Sequence, residues 1–302
     1  AMTEKILVSD KVSEDGLAVL KEAGLEVDYL PEITQDEIKD RIHEYSGWVI
    51  RSRSRATADI IEKAEKLRVI GRAGVGVDNV DTPAATRHGI IVMNTPGGNT
   101  TSTAEHTISM MLSLARKIPQ AYCSMREGKW DKKAFTGTEI YGKTLGIFGL
   151  GRIGQEVVRR MKAFDMYIIG YDPFLPKERM RELGVEALSV DEICEKADFI
   201  TIHTPMSPET KDLISAERIK KMKKTVRIVN CARGGIVNED ALFEALKEKR
   251  IAGAALDVYS SEPLAEDHPL RSLDNVVITP HIAASTSEAQ ENVAIQVAQQ
   301  VV

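Results

Sequence analysis

The stretch "KTLGIFGLGRIGQEVVRRM", residues 143–161, decides the fold. An apolar run reaches Gly149, Gly151 and Gly154 in the spacing G-x-G-x-x-G, and a helical pattern begins directly afterwards. Glycines at this spacing let the backbone approach a pyrophosphate that rests on the N-terminus of a helix. The stretch therefore predicts a strand, a tight turn and a helix that together bind a dinucleotide.

The strand that follows supports this interpretation and suggests which dinucleotide binds. The run "MYIIGYDP" ends in Asp172, 18 residues after Gly154. A carboxylate at this place can accept hydrogen bonds from the adenosine ribose and repel a 2′-phosphate. Residues 173–175 offer no nearby cation, so NAD is favoured over NADP. Two alternatives stay open, a structural turn with a capping aspartate and a site for a flavin or another nucleotide.

More than 140 residues precede the motif, and they have a pattern of their own. From Lys5 onward short β-type runs alternate with helical runs, which indicates parallel βαβ units. Thr34 followed by Glu37 fits a capping box, and Gly24 stands where a helix C-cap is expected. The loop at residues 96–98, Pro-Gly-Gly, marks a domain boundary and hinge, and a helix is expected from about residue 101 to 116.

The second region repeats the alternation with six expected strands, near residues 145–148, 167–171, 199–203, 226–230, 252–256 and 276–279. Six strands suit a complete doubly wound domain. The segment 285–302 has helical spacing with no strand after it, so it is expected to pack on the first region. We therefore predict two doubly wound α/β domains with parallel sheets. A Rossmann nucleotide domain, residues 99–284, is inserted into a split flavodoxin-like substrate domain made of residues 1–98 and 285–302.

Composition limits the classes of function. The 302 residues suit about two domains, and 40 Lys and Arg against 45 Asp and Glu give a net charge of −5. This balance argues against nucleic acid or a membrane as partner. No membrane-spanning or signal-peptide stretch is evident, so a cytoplasmic protein is expected. The three cysteines are odd in number and lack C-x-x-C spacing, so no disulfide framework or metal site is expected. The chain stops within a helical pattern, and further protein is expected to follow.

Hydride exchange at a carbinol needs a group that takes the hydroxyl proton and a cation that orients an anionic substrate. Both are expected at the C-terminal ends of strands. His203 and His281 each follow a strand, and the residues alone do not choose between them; either can be structural. Arg233 follows another strand, with a surface salt bridge as its alternative. Glu262 can orient a histidine or be a solvated loop acid. The other four histidines fall on helices or loops.

Four segments in this order resemble the D-isomer-specific 2-hydroxyacid dehydrogenases over essentially the whole chain: "FGLGRIGQEV", "NCARGGIVNEDAL", "GAALDVYSSEP" and "TPHIAAST". The resemblance implies an NAD-dependent oxidoreductase with the triad Arg233, Glu262 and His281. In such a triad the histidine takes the hydroxyl proton, the glutamate supports the imidazolium, and the arginine holds the substrate carboxylate and the reacting oxygen.

The resemblance also implies the binding residues. Arg152 and Ile153 are expected at the pyrophosphate, Thr204 and Pro205 along the adenosine, and Asp257 near the nicotinamide amide. The full cofactor set is Gly149, Gly151, Arg152, Ile153, Gly154, Asp172, Thr204, Pro205, Cys231, Ala232, Asp257 and Ala283. The substrate set is Arg51, Ser52, Gly74, Val75, Gly76 and Lys132. In this set the loop at residues 74–76 offers backbone N–H groups to the carboxylate, with a plain turn as the alternative.

Within the family, "RSRSRAT", "GRAGVGVDNVD" and "NTPGGNTTSTAEHT", with "GKWDKKAFTGTE", most resemble the members that act on a phosphorylated 2-hydroxy acid. The expected reaction is the oxidation of 3-phosphoglycerate to 3-phosphohydroxypyruvate, the first step of serine biosynthesis. Arg51, Arg53 and Lys132 are the candidate phosphate cations, the last reaching from a neighbouring subunit, and each has a solvated surface charge as its alternative. The alternatives are a glyoxylate, hydroxypyruvate or lactate dehydrogenase and a non-enzymatic NAD-binding corepressor. The resemblance further implies a homodimer built on the helix at residues 102–118, which is otherwise an ordinary core helix.

Overall fold

The structure is a computed structural model that describes residues 4–302, so the first three residues of the expected segment 1–98 lie outside the described part. It contains two compact units. One unit combines the described residues up to Thr100 with Ala284–Val302, and the other is Thr101–Ala283. Each unit has its own parallel sheet.

The first unit has the strand order β2-β1-β3-β4-β5, and every neighbouring pair is parallel. Its strands are β1 (Lys5–Val8), β2 (Glu26–Tyr29), β3 (Gly47–Ile50), β4 (Val69–Arg72) and β5 (Ile91–Asn94). Its connecting helices are α1 (Glu14–Glu22), α2 (Gln35–Arg41), α3 (Ala58–Ile61) and α4 (Thr82–Arg87), with a 3-10 turn at Ile42–Glu44. This is the flavodoxin-like order, which confirms the predicted fold class for this unit.

Local signals set the ends of these elements. The Thr34 hydroxyl accepts a hydrogen bond from the Glu37 backbone at 3.2 Å, and the Glu37 carboxylate accepts one from the Thr34 backbone at 2.8 Å, so the predicted capping box is confirmed. Gly24, with φ +80°, follows the end of α1 in the left-handed conformation that glycine adopts without strain. All four residues of β3 are buried, as expected for a sheet covered on both faces.

The second unit contains α5 (Thr100–Arg116), whose first residue still counts to the first unit, and α6 (Ile118–Arg126). A regular alternation follows: β6 (Thr144–Phe148), α7 (Arg152–Lys162), β7 (Tyr167–Tyr171), α8 (Lys177–Glu182), β8 (Glu186–Ala187), α9 (Val190–Lys196), β9 (Phe199–Ile202), α10 (Ala216–Lys221), β10 (Arg227–Asn230), α11 (Glu239–Lys247), β11 (Gly253–Leu256), a 3-10 turn at Pro269–Ser272 and β12 (Val276–Ile278).

The order of the second sheet is β12-β11-β10-β9-β6-β7-β8, all parallel. This is the doubly wound Rossmann order, which confirms the predicted class. The expected number of strands was wrong, because the sheet has seven and not six. The additional strand β8 has only two residues, too few for a periodic signal in the sequence. The order of the strands reverses between β6 and β9, where such sheets bind ligands at the C-terminal edge.

The last helix, α12 (Ser287–Val301), belongs to the first unit and packs against α1 and β4. A Cβ at Gly16 would lie 2.8 Å from the Ala294 Cβ, and one at Gly71 would lie 2.7 Å from the Val297 Cγ2. Glycine at both positions therefore permits the close approach of the helix. Within residues 4–302, no helix is both long and apolar enough to span a bilayer.

Candidate active site

Two glycines of the turn after β6 are required by the packing of the protein itself. Gly149 has φ +91°, and a Cβ there would lie 2.6 Å from the His203 carbonyl oxygen. A Cβ at Gly154 would overlap the Gly149 carbonyl oxygen. Any side chain at either position would therefore displace the backbone of this turn.

The glycine between them is different. Gly151 has φ −70°, and a Cβ built on it meets no heavy atom within 4 Å. It is the N-cap of α7, and no side chain caps the helix there. The packing of the described chain therefore gives no reason for glycine at this position. The open space over the first amides of α7 fits the pyrophosphate of a dinucleotide, which needs both the N–H groups and close approach to the backbone.

Two polar side chains next to this turn also fit a dinucleotide. The Asp172 carboxylate accepts hydrogen bonds from the Leu150 N–H at 2.7 Å and the Phe174 N–H at 2.8 Å, so it holds the turn and keeps lone pairs for further donors. The Thr204 hydroxyl is buried and has no hydrogen-bond partner among the described residues. A buried hydroxyl without a partner costs free energy, and a bound molecule that supplies a partner would remove that cost. Arg152 and Pro205 are exposed, and Ile153 is half-buried.

The loop after β10 carries Arg233 and is fixed by Asn230, the last residue of that strand. The Asn230 amide donates to the Arg233 carbonyl at 2.9 Å and accepts from the Ala232 N–H at 3.0 Å. A Cβ at Gly234 would overlap the Tyr259 carbonyl, so glycine is needed where this loop touches the loop after β11. The structure therefore brings the loop of Arg233 against the chain three residues before the predicted catalytic glutamate.

Glu262 and His281 are in direct contact. The His281 Nδ1 lies 2.6 Å from the Glu262 Oε2, and the other Glu262 oxygen accepts a hydrogen bond from the Tyr259 N–H at 3.0 Å. The two side chains are 36% and 47% exposed, so a small molecule can reach them. Because Nδ1 donates to the carboxylate, Nε2 is the nitrogen that can exchange a proton with a bound molecule.

His203, the other candidate histidine, has the surroundings of a structural residue. Its Nε2 lies 2.9 Å from the Thr201 hydroxyl. Part of the residue remains accessible, but burial of the ring lowers the pKa of His203 to about 3. At neutral pH the ring is therefore uncharged, and it cannot retain a proton taken from a substrate. The structure favours His281 as the acid/base, a choice that the sequence pattern left open.

Asp257 has a role that the sequence interpretation missed. Its buried carboxylate accepts hydrogen bonds from the Thr279 hydroxyl at 2.6 Å and from the N–H groups of Ile282 and Ala283, both at 2.9 Å. The His106 Nε2 lies 3.3 Å away. Burial acts to raise the pKa of this carboxyl, but the hydrogen bonds outweigh burial and hold it below its ordinary value. Asp257 therefore shapes the loop on both sides of the candidate acid/base, and its role at the nicotinamide amide stays a prediction.

A buried thiol lies at the end of β10, in the predicted cofactor set. Cys231 is 5% exposed, and burial raises its pKa to about 12. It is therefore a neutral packing residue and not a nucleophile. Ala283 in the same set is also buried.

In the first unit, the loop after β3 is ordered by a buried aspartate. The Asp10 carboxylate accepts hydrogen bonds from the Arg51 N–H at 2.6 Å and from the Ser54 hydroxyl at 2.6 Å. The Arg51 guanidinium donates to the Lys11 carbonyl at 3.0 Å. A cavity of about 270 Å³ opens here, lined by Asp10, Lys11, Pro31, Glu32, Arg51, Ser52 and Arg53.

Arg53 differs from Arg51 in its partners. Its guanidinium donates to the carbonyls of Ile33 and Ser9, and its Nε lies 3.3 Å from Asp10. These partners make Arg53 a link within the first unit, so the structure favours a structural role for it over contact with a phosphate. Lys132, in the second unit, is exposed, and its ammonium lies 5.9 Å from the centre of the Trp130 ring.

The loop after β4 presents free backbone donors. A Cβ at Gly74, whose φ is +153°, would overlap the Arg72 guanidinium. The Gly74 carbonyl accepts from the Thr95 N–H at 2.9 Å, and the Val75 carbonyl accepts from the Asn94 amide at 2.6 Å. In the described part of the chain, no hydrogen bond engages the N–H groups of residues 75 and 76. Two adjacent free N–H groups are what an anion-binding turn requires.

Comparisons with known proteins agree with this geometry. The family model described as D-isomer specific 2-hydroxyacid dehydrogenase, NAD binding domain, matches residues 108–283, so the cofactor is NAD. A D-3-phosphoglycerate dehydrogenase from Methanocaldococcus jannaschii is 54% identical over 298 residues, which cover 98% of this chain and 56% of that protein. The chain spans about half the length of the curated relatives that it matches.

Two solved structures are similar over nearly their whole length. A protein from Thermus thermophilus has a TM-score of 0.89 at 35% identity, with 97% of this chain and 94% of that chain covered. The NAD-dependent formate dehydrogenase from Staphylococcus aureus in complex with NAD has a TM-score of 0.86 at 33% identity, with 99% and 94% covered.

Proposed function

We propose, since this chain belongs to the D-isomer specific 2-hydroxyacid dehydrogenases, that it oxidises 3-phosphoglycerate to 3-phosphohydroxypyruvate. The observation that carries the proposal is the accessible contact of 2.6 Å between His281 and Glu262 in an NAD-binding domain. The name of the 54% identical relative supports the choice of substrate. The same reaction in the cell would form the first step of serine biosynthesis.

The proton of the substrate hydroxyl goes to the Nε2 of His281. Glu262 accepts the hydrogen bond from the opposite nitrogen and balances the charge of the imidazolium. Bound NAD supplies the acceptor for the hydride that leaves the C2 atom of the substrate. Gly151 and Thr204 are the residues whose open space and unpaired hydroxyl would hold the cofactor.

The anionic groups of the substrate need separate cations or donors. We assign the carboxylate and the reacting oxygen to Arg233, because its permanent charge and planar fork match a carboxylate. In the first unit, Arg51 is the cation assigned to the phosphate, since it borders the cavity and its guanidinium donates one hydrogen bond within residues 4–302, to the Lys11 carbonyl. Lys132 is assigned to the phosphate bound by a partner subunit, where a lysine gives charge without a bidentate contact.

The test is formation of NADH, followed by absorbance at 340 nm, with a panel of 2-hydroxy acids and with NAD and NADP compared. We expect 3-phosphoglycerate with NAD to be the best pair. His281→Ala should lose roughly 10²- to 10⁴-fold in turnover with NAD binding nearly intact, and His203→Gln should stay active. Faster turnover of glycerate or lactate would identify another dehydrogenase of the family. NAD binding without turnover of any acid would indicate a non-enzymatic NAD-binding protein.

We also assign a homodimer, which the sequence suggested through residues 102–118; its exposed apolar surface lies at the end of that stretch and on the helix that follows. The apolar residues of α5, among them Met110, Met111 and Leu114, pack inside the second unit. The next helix, α6, exposes Ile118 and Tyr122 on one face, 54% and 59% accessible. A charge at Tyr122 should dissociate a dimer built on this face. A monomeric mass of the unmodified protein in light scattering at micromolar concentration would contradict the assignment.

A cytoplasmic location completes the proposal. It is supported by the soluble cofactor and substrate of the assigned reaction and by the lack of a spanning helix within residues 4–302. Fractionation of the source cells, with the protein followed by antibody, tests it. Recovery in the membrane pellet would contradict it.

A further inference from the structure

His106 is a histidine that the proposed reaction does not use. It lies on α5, and its side chain is 18% exposed. Its Nε2 lies 3.3 Å from the Asp257 carboxylate and 3.3 Å from the Thr279 hydroxyl, on a residue 173 positions away in the chain. Both neighbours belong to the chain segments that surround the candidate acid/base.

The surrounding hydrogen bonds identify the atom that carries the proton in this contact. The Thr279 hydroxyl donates its only proton to Asp257 at 2.6 Å, and an ionised carboxylate can only accept. The proton between His106 and this pair must therefore belong to the imidazole. His106 is a donor through Nε2–H to the Thr279 hydroxyl oxygen at 3.3 Å, and the same hydroxyl donates to the buried Asp257 carboxylate.

That charge shapes the loop at residues 279–283. Asp257 binds the hydroxyl of Thr279 on one side of His281 and the N–H groups of Ile282 and Ala283 on the other. His281 itself has φ +54°, a left-handed conformation that a residue other than glycine holds only when its surroundings impose it. A Thr279 hydroxyl that loses the imidazole donor beside it is less firmly oriented toward Asp257, so the buried carboxylate is less well compensated and holds the loop less firmly.

We propose that His106 is a positioning residue for the acid/base His281. By donating to the Thr279 hydroxyl, which in turn donates to Asp257, it keeps the loop in the conformation in which His281 contacts Glu262. The inference rests on the proposed function only in taking His281 as the acid/base. It predicts that removal of the His106 donor disturbs the chemical step and leaves cofactor binding intact.

The experiment compares His106→Leu, which removes the donor, with His106→Gln, which keeps a side-chain N–H. For the leucine variant we expect kcat to fall roughly ten- to a hundredfold, since small displacements of a catalytic group have effects of this size. The KM for the substrate and the Kd for NAD should change less than about threefold, because His106 contacts neither ligand. The primary deuterium isotope effect on kcat, with substrate deuterated at C2, should rise. The glutamine variant should recover most of kcat.

Ser109→Ala is the matched control. Ser109 lies on the same helix about one turn later and is exposed. Among the described residues, its hydroxyl bonds only to the Glu105 carbonyl of the helix, at 2.8 Å. This variant should keep the kcat and isotope effect of the unmodified protein. If the leucine variant does not fold, His106→Phe retains a planar ring without a donor and takes its place.

A second measurement does not depend on turnover. In the unmodified protein with no substrate, the Nδ1–H proton of the His281–Glu262 contact should give a downfield resonance in proton NMR. We expect this resonance to broaden or shift in His106→Leu and to persist in His106→Gln and Ser109→Ala. Inactivity of the unmodified protein with every acid would overturn the proposed function, whereas an unchanged resonance in the leucine variant would overturn the role of His106. Equal loss of kcat in the leucine and glutamine variants, with an unchanged isotope effect, would also overturn it.

Discussion

The substitution Gly151→Ala tests whether glycine at this position is required for folding or for binding NAD. A methyl group at Gly151 meets no heavy atom of the protein within 4 Å, and the residue has φ −70°, which alanine adopts. We therefore expect the thermal midpoint of the variant without NAD to stay within a few degrees of that of the unmodified protein, since no packing is lost. The added methyl would lie where the pyrophosphate meets the first amides of α7.

The expected loss is that of charge-assisted hydrogen bonds to the phosphate oxygens. Such bonds contribute about 1.5 to 3 kcal/mol, so the Kd for NAD should rise roughly ten- to a hundredfold. Isothermal titration calorimetry with NAD measures it. Adenosine, which has no pyrophosphate, should bind the variant and the unmodified protein equally.

Gly154→Ala is the contrasting variant. Its Cβ would overlap the Gly149 carbonyl oxygen, so this variant should lose about 1 to 3 kcal/mol of folding free energy, as overpacked cores do. Urea unfolding without ligand measures this loss. A Gly151→Ala protein that is folded and binds NAD with unchanged Kd would refute the assignment of the pyrophosphate to this turn. A Gly151→Ala protein that unfolds like Gly154→Ala would refute the argument from open space.

Three further predictions concern other parts of the two units. Asp172→Ala should weaken NAD binding by about 1.5 to 3 kcal/mol and narrow the difference in affinity between NAD and NADP. Because Asp172 also holds the Leu150 N–H, the ratio of the two Kd values is the readout, and an unchanged ratio would contradict the ribose assignment. Arg51→Ala should raise KM for 3-phosphoglycerate roughly ten- to a hundredfold and KM for an unphosphorylated acid much less, because the latter has no phosphate for Arg51 to bind. The fold should tolerate the change, since the guanidinium is held within the described chain by its contact to the Lys11 carbonyl. Equal increases would place Arg51 at the carboxylate. The pKa of His203 is about 3 in the folded protein against an ordinary value of 6.5, so the stability that depends on its neutral ring is complete above pH 6.5 and is lost as the pH falls toward 3. At pH 5 this loss lowers the free energy of unfolding by about 2 kcal/mol. Urea unfolding at pH 7 and pH 5 should show less acid sensitivity in His203→Gln, and equal sensitivity would be the contrary result.

Most of the fold could be predicted from patterns among residues that are close together in the sequence. The period of the apolar runs distinguishes strand from helix, and their alternation implies parallel sheets, because each strand needs a crossover helix. The glycine spacing after β6 and the Asp172 that ends β7 identified the dinucleotide turn. The strand β8 was missed because two residues carry no period. The place of Arg233 and Glu262 in loops after β10 and β11 was also readable from the sequence.

Contacts between distant residues were decided only by the tertiary structure. The sequence placed His203 and His281 in equivalent positions after strands, and only burial and neighbouring atoms distinguish them: one ring is neutral at pH 7, and the other contacts Glu262. The sequence likewise set His106 aside as a helix residue. The strand order brings Asp257 to the end of β12, and α5 lies beside it, so a residue 173 positions before Thr279 contacts the loop of His281. The physical reason is that local propensity acts over a few residues, whereas desolvation and hydrogen bonding depend on which segments the sheet order places side by side.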